Sequence, residues 1–553
     1  MAQSEWKLKG LSSIDLKNGQ KQEVEVEGVE NGKVLLVKVD GQVHALNPNC
    51  SHYGAPLVKG VVTGDGRITC PWHGACFKVS TGDVEDAPAL DPLHRFDVIA
   101  KDGAVFIKGQ ESQIKEGRRT LKFKTQAKEQ DKVVIVGRGS GALGAMEALR
   151  GGGFTGTITT IATEDYRPID RTKLSKALMT DLSKLAWRSE DFYKEADITN
   201  VTDKVTSIDF NGKKVKTESG KEYDYTKLIL SSGGTASYLP VEGLKGDLEN
   251  VFLLRELKDA QAIMAAAGSE GGKKIVVIGS SFIGMEVGNC LAGQKHNVTI
   301  VGMESQPLEN IMGAELGKVF RSLVEKNGAK FYLGTGVEKG TPKSDGKKIG
   351  SVKLKDGTEL EADLVIEGVG IKPATEYLQN NSSVKLNEKD KSVMVDDCYA
   401  VQGLKDVFAI GDIATYPYHG PGGNGSPIRI EHWDVAQNMG RSVANTIITG
   451  AKAKPFIPVF WSALGSQLRY CGNTVGGYDD VVVQGNTDTS EGKQSFVAYY
   501  TKGEEVLAVA SMMKDPYMTQ SAELMRRGKM PKKSELQKGV DILEISVPAE
   551  TKI

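Results

Sequence analysis

Residues 132–150 read KVVIVGRGSGALGAMEALR. An apolar strand at 133–136 runs into Gly137-Arg138-Gly139-Ser140-Gly141-Ala142, and a helical pattern follows. This is G-x-G-x-x-[G/A] in the context that gives it meaning: strand, tight turn, helix. Gly137 makes the turn. Gly139 lets a pyrophosphate approach the backbone N–H groups at the helix start, and Ala142 closes the motif. The next strand, TITTIA, ends at Glu164, a carboxylate able to accept both hydroxyls of a ribose.

A second copy stands at 273–293, KKIVVIGSSFIGMEVGNCLAG. Its glycines are Gly279 and Gly284, and Ser281 takes the place of the middle glycine. The following strand, HNVTIVGMES, puts Gly302 where NADH binders usually place an acid, and Glu304 comes two residues late. No Lys or Arg occupies 302–306 to meet a 2′-phosphate, so NADH is favoured over NADPH.

The first 110 residues have a different grain. Short apolar strands (VLLVKV, QVHALN, RITC, AVFIKG) alternate with DG and GDG turns, which predicts a small all-β domain. It contains CSHYG at 50–54 and CPWHGACF at 70–77, with 17 residues between His52 and Cys70. Each loop offers one thiolate and one imidazole: Cys50 and His52, then Cys70 and His73. A [2Fe–2S] cluster of the Rieske kind binds one iron through two cysteines and the other through two histidines. Zinc is the rival, since two Cys and two His suit a tetrahedral site. Zinc fingers, however, usually group like ligands together, whereas here the types alternate in a β setting.

The chain has 553 residues, enough for about three or four domains. Its net charge of −1 comes from interspersed acids and bases, which offers no basic face for nucleic acid. No apolar run reaches the roughly 18 residues of a membrane span. The N-terminus, MAQSEWKLKG, has no signal core and no Arg-rich amphipathic helix, so a cytoplasmic location is expected; a mitochondrial one stays open. Six cysteines do not make a disulfide framework. Cys76, Cys290, Cys398 and Cys471 read as packing residues, and His296 and His419 as surface or loop residues.

The two N-terminal loops resemble the Rieske ferredoxins. High-potential members carry an extra Cys in each loop and a Ser and Tyr that bond to sulfur. Ala55, Trp72, Ala75 and Phe77 stand there instead, which implies a potential near the low end of the Rieske range, about −150 mV. The remainder, with its two glycine motifs followed by KDVFAIGDIA, resembles the flavoproteins with two dinucleotide-binding folds. The resemblance implies FAD in the first fold, with Asp412 on its ribityl or phosphate side, and NAD(P)H in the second, held by Gly279, Ile283, Gly284, Glu286 and Gly370. A redox C-x-x-C or C-x4-C is missing from 130–553, which sets the chain apart from disulfide reductases. RPIDRTKLSK (167–176) is similar to the PYxRPPLSK signature of ferredoxin reductases and apoptosis-inducing factors. By that resemblance Arg171 contacts FAD, and Lys176 lies beside the flavin and pairs with Glu286. Lys176 and Glu286 are the candidate catalytic residues; the alternative is that Arg171 and Lys176 are plain solvated helix charges. Glu431, His432 and Trp433 match the family's EHW helix start near the flavin, and Trp461 matches its FW[ST] element, with a core Trp as the alternative.

A multidomain chain is therefore expected. Residues 1–110 form the Rieske domain, and 111–130 are a charged linker whose 20 residues, if flexible, would span about 25 Å. FAD-binding parts at 131–267 and 396–455 flank an NAD(P)-binding domain at 268–395, and an α+β domain occupies 456–553. The whole resembles the apoptosis-inducing factor 3-like family. That resemblance implies electron transfer from NAD(P)H through FAD to a [2Fe–2S] cluster and on to an unidentified acceptor, a quinone, cytochrome or Rieske oxygenase. The alternative is redox signalling by NADH reduction of the flavin. A homodimer is possible.

Overall fold

In the computed structural model, residues 4–123, 125–490 and 493–550 are described. The glycine-motif strand Lys128–Val136 lies at the centre of a five-stranded parallel sheet. Gly156–Ala162 and then Ile198–Thr202 lie to one side, and Lys227–Leu230 and then Val407–Ala409 to the other. All five run parallel because the connections return over the faces of the sheet, and two of the inner ones, VVIV at 133–136 and LIL at 228–230, are accordingly buried apolar runs. The helix after the motif, Ser140–Gly151, packs backbone to backbone on a later helix, Trp433–Thr449. A Cβ on Gly144 would come within 2.3 Å of the Gln437 carbonyl oxygen, and one on Gly440 within 2.2 Å of the Gly141 carbonyl oxygen. This crossing brings the start of the Trp433 helix beside the first glycine turn; Ser140 Oγ donates to the Trp433 carbonyl at 2.6 Å.

The second fold repeats the plan with Lys274–Ile278 between Leu364–Glu367 and Asn297–Val301. Two short strands, Gly234–Ala236 and Ile371–Pro373, pair antiparallel where the chain passes between the two folds. The C-terminal part is a five-stranded antiparallel sheet, Val459–Ala463 at one edge, covered by helix Tyr517–Arg526.

The N-terminal part has a six-stranded sheet, which includes Lys33–Val39 and Gln42–Leu46, and a four-stranded sheet, Val61–Val62, Arg67–Thr69, Cys76–Lys78 and Val84–Asp86. The segment at 111–130 is not the loose tether its charge suggested. It opens with a helix, Glu111–Glu116, and is then pinned to both neighbours. Arg119 N donates to Pro92 O at 2.7 Å, and Thr125 N to Glu195 O at 3.1 Å. Other small corrections concern lone residues. His296 sits in a loop, as expected, but is buried there, and Cys290 and Cys398 are only half-buried, whereas Cys76 and Cys471 are core. Cys76 accepts from Arg67 Nε at 3.1 Å, a partner its sequence context did not announce.

Candidate redox site

The two N-terminal loops are one backbone object made twice. In each, the cysteine N–H donates to the carbonyl of the alanine five residues on, at 2.8 Å for both Cys50–Ala55 and Cys70–Ala75. The glycine four residues on donates back to the cysteine carbonyl, Gly54 at 2.9 Å and Gly74 at 3.3 Å. Gly54 and Gly74 have φ of +78° and +77°, which L side chains adopt only under strain.

This geometry sorts the donors by element. The imidazoles of His52 and His73 meet Nδ1 to Nδ1 at 3.1 Å, and the thiols of Cys50 and Cys70 adjoin. Among the described residues no three of His, Cys, Asp or Glu gather around a point where a single ion could sit. A sulfur pair beside a nitrogen pair suits a two-iron cluster; it does not suit one tetrahedral zinc. Burial lowers the pKa of His52 to about 4. Burial, then His52, Arg469 and Lys176, drives His73 well below its ordinary value. Both rings are thus neutral, the form that ligates metal.

At the first glycine motif Gly137 has φ +110°, and a Cβ there would lie 2.1 Å from the Ser231 carbonyl oxygen. A Cβ on Gly139, the N-cap of the Ser140 helix, would meet nothing within 4 Å. Tight turn and open cradle stand two residues apart, as a pyrophosphate site needs. Ala142 is fully buried behind them. Burial works against charge on Glu164, but Arg171, in direct contact, and Tyr166 Oη, donating at 2.9 Å, hold its carboxyl below the usual range. Arg171 also donates to the Arg255 carbonyl at 2.8 Å, and the Arg255 side chain pairs with Asp412 Oδ2 at 2.8 Å. Lys176 Nζ lies 3.0 Å from Glu286 Oε1, which also accepts from Ser462 Oγ at 2.6 Å, while Ser175 Oγ donates to the other oxygen.

Glu431 is exposed and pairs with Arg429. His432 caps the Trp433 helix, and burial lowers its pKa to about 4. Three shielded ring nitrogens, His432 Nδ1, Trp433 Nε1 and Trp187 Nε1, have no hydrogen-bond partner within the protein. Orphaned polar atoms at this helix start, beside the open cradle of Gly139, fit a large polar cofactor there.

The second motif keeps the turn and changes the cradle. Gly279 has φ +112°, and its Cβ would lie 2.3 Å from the Gly368 carbonyl oxygen; a Cβ on Gly284 would lie 2.0 Å from that of Gly279. Ser281, at the N-cap of Phe282–Gly293, has φ −88°, close to the −83° of Gly139. Any L residue adopts that backbone, so the serine departs from the fingerprint without strain. Ile283 is 42% exposed, and a Cβ on Gly370 would meet nothing within 4 Å, so both face open space. Glu304, though two residues late, returns to the motif, where Ser280 Oγ donates to it at 2.9 Å.

The two halves of the molecule meet at the cluster loops. The His73 ring centroid lies 4.3 Å from that of Trp461, and His52 lies 5.7 Å from Trp187. Trp187 is in turn 6.4 Å from Trp433, so rings lead from His52 to the EHW helix start. Cys70 O accepts from Thr519 Oγ1 at 3.0 Å. Buried charges lock the contact. Arg188 bridges Asp91 of the N-terminal domain and Glu147 of the Ser140 helix, each at 2.8 Å. Arg527 pairs with Asp65 at 2.9 Å and with Glu523 at 2.5 Å, and Arg526 with Asp86 at 3.1 Å. Separating the domains would break each of the pairs that crosses between them, Arg188–Asp91, Arg527–Asp65 and Arg526–Asp86.

Trp187, Arg255, Arg188 and Tyr53 belong to this site and lay outside the sequence reading. One signal was available. The chain has five tryptophans, and four of them, Trp72, Trp187, Trp433 and Trp461, gather at the junction.

Comparison with known proteins agrees with this division. Residues 131–440 match the pyridine nucleotide-disulphide oxidoreductase family, and residues 7–97 match the Rieske [2Fe-2S] domain. Human apoptosis-inducing factor 3 is 37% identical over 534 residues, covering 95% of this chain and 84% of that protein. Rhodocoxin reductase of Rhodococcus erythropolis is 30% identical over 387 residues, covering 69% of this chain and 86% of that one. Among solved structures, the covalent putidaredoxin reductase–putidaredoxin complex superposes with a TM-score of 0.69 at 26% identity, covering 75% of this chain and 98% of that one. No helix among the described residues is long and apolar enough to cross a membrane.

Proposed function

We propose that this chain, which belongs to the pyridine nucleotide-disulphide oxidoreductase family and within it to the apoptosis-inducing factor 3-like proteins, carries electrons from NADH to its own N-terminal cluster without moving that domain. It is an oxidoreductase whose domains imply FAD, NAD(P)H and a [2Fe–2S] cluster. Those groups, when bound, supply the redox chemistry: a flavin takes two electrons together and releases them singly to a one-electron centre.

The residues divide the remaining work. Gly137, Gly139 and Ala142 form the first pyrophosphate cradle. Glu164 and Arg171 meet the adenosine side of FAD, and Arg255 fixes Asp412 for its ribityl or phosphate side. The start of the Trp433 helix, with Glu431 and His432, brings backbone N–H groups and a dipole that favour negative charge on the ring system. Glu286 holds the Lys176 ammonium at one position, with Ser175 and Ser462 saturating the carboxylate. A fixed cation there favours the electron-rich state of a neighbouring ring. Gly279, Ile283, Gly284 and Gly370 bind the nicotinamide nucleotide, and Glu304 near the strand end disfavours a 2′-phosphate. Cys50, His52, Cys70 and His73 hold the cluster.

The observation that carries this reading is the contact of both ligand histidines with reductase tryptophans, 4.3 Å for His73–Trp461 and 5.7 Å for His52–Trp187. Cys70→Ser tests it. Bleaching of the flavin by NADH should survive, while NADH-driven reduction of a one-electron acceptor should fall at least a hundredfold. Retained acceptor reduction in that variant contradicts the proposal. Redox signalling, the other reading, gains ground if NADH leaves a long-lived charge-transfer band and acceptors are reduced slowly even by the wild type.

A further inference from the structure

Electrons delivered to a buried centre need a way out. His52 and His73 are 9% and 4% exposed, and Trp461 is 8% exposed. Of the aromatic rings in contact with either histidine, only Tyr53 stands among the exposed large side chains, at 36%. It lies parallel to His52, centroids 3.9 Å apart and planes within 10°. Its hydroxyl turns inward to Asp170, which leaves the ring outside.

The surface around Tyr53 is cationic. Lys173 Nζ lies 5.2 Å from the Tyr53 ring centroid. Arg118 Nη1 donates to the Ser51 carbonyl at 3.4 Å, which sets the guanidinium beside the same loop. Arg118 and Lys122 are exposed and belong to the segment pinned to Asp91 through Leu121 N at 3.3 Å. The carboxylates that answer Arg118 and Lys173 are Asp91 and Asp170, with side chains 6% and 2% exposed. Cations outside and their counter-charges inside make a patch that attracts anions. Arg119 adds nothing net, because Asp83 beside it is equally exposed.

We infer that the Tyr53 face, flanked by Arg118 and Lys173, docks an acidic one-electron carrier protein and is where electrons leave. This rests on the function proposed above and names its acceptor class. Each NADH oxidised to NAD⁺ yields two electrons and one proton. Two carrier molecules therefore each gain one electron, and the proton goes to solvent. No bond forms between the proteins.

The test uses the full-length holoprotein with two one-electron carriers whose potentials lie above the cluster's, acidic cytochrome b5 and basic cytochrome c. Binding is read by calorimetry at low and high salt, and carrier reduction by stopped flow. Cytochrome b5 should bind more weakly as salt rises. The double variant Arg118→Glu/Lys173→Glu should weaken its binding and slow its reduction about tenfold or more, while cytochrome c gains. Lys173→Arg should behave as wild type. Unchanged cytochrome b5 affinity in the charge-reversed protein, or tighter binding of cytochrome c than of cytochrome b5 by the wild type, overturns the inference. If NADH fails to reduce the cluster in the wild type, the function itself is wrong, and the binding measurement still decides the surface.

Discussion

The two cluster loops share one backbone design and face different surroundings. Cys50–Ala55 lies at the rim, where a Cβ on Gly54 would meet nothing within 4 Å and Tyr53 is exposed. Cys70–Ala75 is set into the reductase, where a Cβ on Gly74 would meet Val459 at 3.5 Å and Thr519 holds the Cys70 carbonyl. Equal local geometry is therefore no guide to role. What distinguishes the loops is what each leaves open: the histidines of both meet reductase tryptophans, but the outer loop also presents a ring, Tyr53, to solvent.

The strongest way to break this contrast is to remove the lock between the halves. Arg188→Ala leaves Glu147 buried without its cation and Asp91 with only the exposed Arg118, 3.7 Å away, and should destabilise the protein by about 3–5 kcal/mol. Denaturant unfolding would measure that, and a retained midpoint would show that the domains do not depend on each other. Next comes the reductase side. Glu286→Gln keeps the shape and releases Lys176, so NADH reduction of the flavin should slow by about tenfold to a hundredfold while the cluster content stays full. Comparing Gly54→Leu with Gly74→Leu sharpens the contrast directly. Both add strain at positive φ of about 1–2 kcal/mol, but only the inner variant pushes on the reductase. Flavin-to-cluster transfer should slow in Gly74→Leu alone.

The smallest effect lies away from both loops. Glu367, at the end of strand Leu364–Glu367, accepts from Leu239 N at 2.7 Å, and burial raises its pKa to about 7 from 4.5. The folded state then holds a proton that the unfolded state has lost between those values. Stability should fall as pH rises from about 4.5 to 7 and level off above, by a few kcal/mol at most. Glu367→Gln should flatten that slope and raise stability at pH 8 by about 1 kcal/mol, with the cluster spectrum unaltered. A thermal melt series against pH checks both the sign and the window.

What the sequence made legible is local. A glycine at positive φ beside a close carbonyl, as at Gly137 and Gly279, leaves its mark on a few adjacent residues. So does a C-x-H loop closed by a glycine. Even the departure at Ser281 is intelligible, because that position needs no left-handed backbone. The docking was not legible, since it joins residues far apart in sequence through ordinary side chains. Arg188 in AWRSED gives no sign that Asp91 and Glu147 await it, and the charged run at 111–130 suggested freedom where the structure shows pinning. Arg255 stayed hidden for the same reason: its partner Asp412 lies in another segment of the chain.

The central claim is that the cluster is loaded within one docked chain. Anaerobic stopped flow with NADH, read by optical and EPR spectroscopy over a tenfold range of protein concentration, tests it most directly. The account predicts flavin bleaching followed by a Rieske-type EPR signal whose rate does not change on dilution. A signal whose rate rises in proportion to concentration, or a bleached flavin beside a cluster that stays oxidised, would contradict it.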